Sequence, residues 1–241
     1  MDDKIKKSLE YSLKDGIFAS VMQGISENFI TPYALAMKAS AGTIGILASA
    51  PNLLGSLLQV KTAALAERLG SRKALITSAV LIQAFMWLPI IAISYLSSAN
   101  QPFYLIICYS LFIAAGGMSF PPWSSLMSDH VGPAERGKVF GWRNRLFGMI
   151  NVSSLFLAGF ILYTVRKIFP QNPILGFTVI FFTAFLARLV SWYFLTRMYE
   201  VPLAIRDEHR FSFFNFLKRI RRSNFGRFVI FAAFMNFSVN I

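Results

Sequence analysis

The sequence predicts an all-α polytopic membrane protein: a six-helix bundle followed by an incomplete seventh transmembrane helix. Three observations predict it. Apolar residues make up 55% of the 241 positions, with 25 Phe among them. Stretches 16–37, 42–66, 74–97, 103–127, 140–163 and 174–196 are each long enough to cross a bilayer, which takes ~20 residues for ~30 Å of hydrocarbon. The loops between them alternate between basic and nearly uncharged.

The alternation sets the orientation. Lys4, Lys6, Lys7 and Lys14 precede span 1, and Arg68, Arg72 and Lys73 separate spans 2 and 3. Arg136, Lys138, Arg143 and Arg145 lie between or just inside spans 4 and 5, and a long basic stretch follows span 6. Of the 24 basic residues, only Lys38, Arg166 and Lys167 fall on the opposite side, with Lys61 and Arg188 inside spans. The positive-inside rule therefore predicts a cytoplasmic N-terminus in a multi-pass protein of a prokaryotic plasma membrane. The same distribution accounts for the net charge of +13 without nucleic acid as a partner, because the charges flank apolar spans.

Taken in order, residues 1–15 form a mixed-charge cytoplasmic arm and 16–196 the six-span bundle. The links Lys38–Gly42 and Ser98–Pro102 are short, which makes successive spans antiparallel neighbours. Pro32, Pro51, Pro89, Pro121 and Pro122 each remove a backbone donor and favour a kink. Residues 197–225 form a basic central loop, in which aromatics at 211–217 precede a basic cluster at 218–222 suited to the headgroup region. A seventh span starts near Gly226 and is still running at Ile241, so 226–241 is expected to be the start of a longer element. The sequence shows no internal repeat. An inverted relation of spans 1–3 to spans 4–6 belongs to structure rather than sequence.

Catalytic chemistry is not expected. Cys108 is the single cysteine, and His130 and His209 both fall in loops, with no metal-ligand set or nucleophile–base pair in view. Gly132 to Lys138 mimics a phosphate-binding loop, but Val139 stands where Ser or Thr would bind magnesium and no strand precedes it. No enzyme, metal or cofactor is predicted.

The loop between spans 2 and 3 reads Ala63-Ala64-Leu65-Ala66-Glu67-Arg68-Leu69-Gly70-Ser71-Arg72-Lys73. It resembles the signature G-x-x-x-D-R-x-G-R-R/K of major facilitator superfamily transporters, at the same place between the second and third spans. Glu67 takes the acidic position, Arg68 the basic one, Gly70 the turn and Arg72 the last basic one. Ala63 replaces a glycine and Ser71 a basic residue. The acid at a helix end is placed to pair with Arg68, Arg72 or a helix N-terminus, as part of a cytoplasmic gate. In the loop between spans 4 and 5, Asp129, Arg136 and Gly137 also resemble the family. A G-x-x-x-G-P run in span 5 and an arginine within span 4 are both missing, which counts against proton antiport.

The resemblance implies a six-helix N-terminal half of a secondary active transporter moving a small solute by alternating access. Its implied partners are a small-molecule substrate, the lipid bilayer and a C-terminal half bundle from the same gene or a separate chain. The alternative is a non-transporting half-bundle that assembles with a separate membrane partner or with itself.

Polar groups inside hydrocarbon usually face a cavity or each other. Ser20, Gln23, Glu27 and Thr31 share one face of span 1, with Asn28 beside them. Asn52, Ser56 and Gln59 repeat likewise in span 2, and Asn144, Gly148 and Asn151 in span 5. In the resembled fold spans 1, 2, 4 and 5 line the cavity. Candidate substrate or coupling residues are therefore Gln23, Glu27, Asn28, Asn52, Gln59, Trp123 and Asn151. Glu27 leads them, for a cationic substrate or a coupling proton, against a structural hydrogen bond with Gln23 nearby. Arg188, on a peripheral span, is read as snorkelling or bracing packing.

Overall fold

The structure is a computed structural model that describes residues 3–96, 98, 100–201 and 224–239. The aromatic and basic stretch at 211–222, and with it most of the central loop 197–225, lies outside the described residues. The chain divides into two compact units, 1–203 and 204–241.

Helix α1 (Asp3–Ser26) continues through a 3-10 turn at Glu27–Phe29 into α2 (Ile30–Ala36). It runs unbroken across residue 15, where the sequence reading ends its arm. Ser8, Ser12 and Asp15 are buried on it. The 3-10 turn sits three to five residues before Pro32, where the ring and its missing N–H disturb the preceding turn. The second rod is α3 (Ala41–Gln59), capped by Ser40, followed by α4 (Thr62–Leu69). Span 2 is therefore broken near its end. Thr62 Oγ1 donates to the carbonyl of Gln59 (2.6 Å), a local bond that competes with helix continuation.

α5 (Arg72–Phe85) and α6 (Trp87–Ile93) form the third rod, divided at Met86, three residues before Pro89. α7 (Gln101–His130) runs straight through Pro121 and Pro122, and α8 (Arg136–Ile168) and α9 (Ile174–Arg197) complete the bundle. Among the described residues five rods are long and apolar enough to cross a membrane. The first does not qualify, because the 3-10 turn interrupts it and its opening turns carry four lysines. In the second unit α10 (Asn224–Val239) is helical, with an apolar stretch over Gly226–Met235. The chain is an all-α polytopic membrane protein.

The helices pack by exchange between two triplets. α1 packs on α8 and α9, while α7 packs on α3 and α5. α5 also meets α9. Swapping spans 1, 2 and 3 for spans 4, 5 and 6 leaves this pattern unchanged, the relation that sequence alone does not show.

Two apolar clusters fill the bundle. One gathers Tyr33, Trp87, Phe112 and Phe181, with Trp87 4.7 Å from Phe112 and 5.1 Å from Phe181 between ring centroids. Tyr33 Oη donates to the carbonyl of Ile90 (2.8 Å), tying α2 to α6. The other gathers Ile76, Val80, Leu126, Met127, Leu195 and Met198 near the basic loops. Between them lies a polar layer. Gln83 on α5 comes between Val80 and Trp87 along the third rod, and Arg188 and Ser191 come between Ala184 and Leu195 on α9.

Candidate functional site

That polar layer opens into a cavity of about 880 Å³ lined by α1, α3, α5, α7, α8 and α9. Along the first rod Ser20, Gln23 and Glu27 line it at spacings of three and four, which keep to one helical face, and Asp15 joins them further down α1. The α3 wall adds Asn52, Ser56 and Gln59, and α8 adds Asn144. Trp123 closes part of the α7 wall.

Five of the seven candidate substrate residues thus come together: Gln23, Glu27, Asn52, Gln59 and Trp123. Asn28 and Asn151 do not line the cavity. Asn28 is exposed on the 3-10 turn, and the backbone carbonyl of Asn151 lies against Gly24, where α8 crosses α1. That close approach needs the missing side chain at Gly24.

Glu27 stands at the break in the first rod, half-buried. Among the described residues its carboxylate has no hydrogen bond and no ion pair, so Gln23 is not its partner. A mid-helix 3-10 turn with a free acid on it is a common mark of a functional position. Asn52, by contrast, returns its Nδ2 to the carbonyl of Ala48 (3.0 Å) and keeps its amide oxygen for the cavity.

The sequence reading missed the charges opposite Glu27. Arg188 is not at the periphery: it is 7% exposed and lines the cavity. Its Nε donates to Gln83 Oε1 (2.8 Å) and its Nη1 to Ser191 Oγ (3.0 Å). Ser191 in turn donates to Asp15 Oδ1 (2.6 Å). Snorkelling fails as an account because three helices supply inward partners. Gln83 itself fits because Gly116 on α7 leaves room for its amide. The available signal was periodicity: Ala184, Ala187, Arg188, Ser191 and Leu195 share one face of α9 with small neighbours.

Arg143 is the second missed cation. Its Nη2 donates to the carbonyl and the hydroxyl of Ser12 (both 3.1 Å). Its guanidinium lies over the rings of Trp123 and Phe147, at 5.5 and 5.0 Å.

A second site forms at the basic loops. Gly70 ends α4 with φ of 63°, the left-handed conformation that favours glycine. Ser71 then caps α5, accepting from Ala74 N (2.9 Å). Arg72 is buried; Nη2 lies 2.7 Å from Asp129 Oδ2 and donates to Val201 O (2.9 Å), while Nη1 reaches Ser125 Oγ (2.9 Å). Glu200 accepts from Ser71 Oγ (2.6 Å) and Lys73 N (3.0 Å), so an acid does sit at a helix N-terminus. That acid is Glu200 and not Glu67. Ala63, Glu67 and Arg68 are exposed on α4, and Glu67 makes no ion pair among the described residues. Arg136 donates to the carbonyls of Val131 (3.1 Å) and Ser128 (2.7 Å), capping the end of α7, and Gly137 follows in the first turn of α8.

Apolar helices around a polar cavity, with a charged cluster fastening the loops at one end, make this a multi-pass membrane protein. The chain belongs to the Major Facilitator Superfamily, whose sequence model matches residues 16–241. Membership makes it a protein of the transporter type, working on small molecules within the bilayer. No curated protein and no solved structure matches the chain significantly.

Proposed function

We propose that this chain supplies the N-terminal six-helix half of a secondary active transporter that moves a small solute by alternating access. Residues 16–196 form the half-bundle, 197–225 the central loop, and the stretch from 226 the start of helix 7. The N-terminus and the basic loops face the cytoplasm, and the C-terminal half comes from the same gene or a separate chain. The single observation carrying this reading is Glu27: a free, half-buried carboxylate at a helix break on the wall of an 880 Å³ cavity. Such an acid binds a cationic solute or a coupling proton.

The test is uptake of tritiated sugars, amino acids and organic cations into membrane vesicles carrying the complete transporter. One solute is expected to accumulate above vesicles lacking the protein, with a pH dependence that Glu27→Gln removes. If no solute accumulates, transport is the wrong reading. If Glu27→Gln keeps both uptake and its pH dependence, the role given to Glu27 is wrong.

The second reading, a half-bundle that pairs with itself or another membrane protein without transporting, is favoured by α3 and α8. Leu53, Leu57, Phe156 and Phe160 leave these helices with broad uncovered apolar faces. Uptake together with a monomeric half-bundle in crosslinking would remove it.

A further inference from the structure

Arg188 and Gln83 hold one another, and each keeps a donor group spare. Arg188 is 7% exposed and Gln83 5%. Arg188 Nε donates to Gln83 Oε1 (2.8 Å), which leaves the Nε2 fork of the amide unused. Arg188 Nη1 donates to Ser191 Oγ (3.0 Å), and Ser191 donates in turn to Asp15 Oδ1 (2.6 Å). Among the described residues Arg188 Nη2 and Gln83 Nε2 donate to no other group. The side-chain nitrogens sealed from water without a partner lie elsewhere, on Arg72, Trp87, Trp123 and His130. Nη2 and Nε2 are therefore open to the cavity that both residues line.

Three helices build this spot. α9 brings Arg188, α5 brings Gln83, and α7 passes the amide at Gly116. A Cβ on Gly116 would collide with Gln83 Nε2, so the glycine leaves the amide its place. Arg188 makes no ion pair among the described residues, and Asp15 stands one hydroxyl away from it. A buried cation held by neutral groups lacks the counter-charge that offsets its desolvation. Two unused donor groups, one of them cationic, suit a carboxylate, which is planar and offers an oxygen to each. A dianion such as phosphate suits the spot less, because Asp15 and Glu27 already put two carboxylates on the same cavity wall.

We propose that Arg188 and Gln83 form the subsite for a carboxylate group of the solute. The other end of that solute rests on the reading of Glu27 as a cation site. Together they make the solute a zwitterion of the amino-acid class. Such a solute is neutral overall, and among the described residues the charged groups on the wall, Asp15, Glu27, Arg143 and Arg188, also balance.

The experiment measures equilibrium binding of a tritiated amino-acid mixture to the complete transporter in detergent at pH 7.5, beside uptake into vesicles. The competitors are unlabelled amino acids, their amides, their N-acetyl derivatives and inorganic phosphate. Amides should compete about tenfold more weakly than the parent amino acids, or worse, as the loss of a charge-assisted hydrogen bond requires. Gln83→Glu keeps an acceptor for Arg188 and places the missing counter-charge in the protein itself. It should fold and still lose about tenfold or more in binding. Gly116→Ala displaces only the far end of Gln83 and should also weaken binding.

Unchanged binding in both variants, equal competition by amides, or stronger competition by phosphate overturns the subsite. Absence of amino-acid binding overturns it too, and uptake of a sugar or organic cation in that case leaves the transport reading standing. Binding without uptake of any solute sinks the transport reading alone. N-acetyl derivatives competing as well as their parents remove Glu27 from the site and leave the carboxylate subsite in place.

Discussion

Arg72 and Asp129 fasten the α4–α5 turn to the end of α7, with Nη2 2.7 Å from Oδ2, the guanidinium side chain 5% exposed and the carboxylate side chain 41% exposed. The asymmetry decides what each partner contributes. Asp129 is half in water and loses little when neutralised. Arg72 is buried, and a buried cation without its counter-ion is costly.

Removing the acid therefore acts mainly through the arginine it leaves behind. Asp129→Asn is expected to destabilise the bundle by about 1–2 kcal/mol, because Ser125 and Val201 still accept from Arg72. Thermal unfolding in detergent checks this. A double-mutant cycle with Arg72→Gln should recover most of that loss; simple additivity would mean that the pair does not interact.

Glu200 and Glu67 make opposite predictions from similar chemistry. Glu200→Gln removes a charged acceptor from the N-terminus of α5 and should cost about 1 kcal/mol. Glu67→Gln, on an exposed helix face, should change stability by less than about 0.5 kcal/mol. Melting temperatures of the two variants side by side decide it. Equal losses would assign Glu67 a contact within the bundle that the structure does not show.

Gly24 and Gly148 separate close packing from mere flexibility. A Cβ on Gly24 would collide with the backbone carbonyl of Asn151, which cannot swing aside as a side chain can. Gly24→Ala should cost about 1–3 kcal/mol. Gly148 has open space at the same point, so Gly148→Ala should be neutral or stabilising by up to about 1 kcal/mol through helix propensity. Unfolding midpoints in detergent read both.

Tyr33 ties together two rods that are each broken near a proline. Tyr33→Phe keeps the ring contacts with Phe177 and Phe181 and removes only the hydroxyl's bonds to the carbonyls of Ile90 and Ile91. The expected loss is about 0.5–1 kcal/mol, typical of a hydrogen bond inside a membrane bundle. Proteolysis near residues 27–29 and 86 should also speed up, since the bond spans both breaks.

The spans were legible because hydrocarbon imposes length and apolarity on any chain that crosses it. Local chemistry also surfaced: Gly70 ends a helix in the left-handed conformation, and Pro32 and Pro89 each disturb the turn ahead of them. What escaped is set by contacts distant in sequence. Nothing near Arg188 reveals that Asp15 and Gln83 await it from other helices. Nothing near Ser71 reveals that Glu200 will cap the next helix in place of Glu67. The polar stripes line the cavity at Ser20, Gln23, Glu27, Asn52, Ser56, Gln59 and Asn144, but not at Asn28 and Thr31, where the helix changes winding, nor at Gly148 and Asn151, where α8 crosses Gly24 on the neighbouring helix.

The exchange of partners between the two helix triplets bears on how the chain is made. The first three rods have almost no packing among themselves beyond sequence neighbours; their partners α7, α8 and α9 come later in the chain. During synthesis the early spans enter the bilayer before anything exists to bury their polar faces. Asp15 waits for Ser191, and Ser12 for Arg143. Until the ribosome delivers those residues, the insertion machinery or another chaperone must shelter three helices carrying unpaired acids and amides. The bundle is stitched together late, and a ribosome stalled ahead of α7 would hold an intermediate open to membrane quality-control proteases.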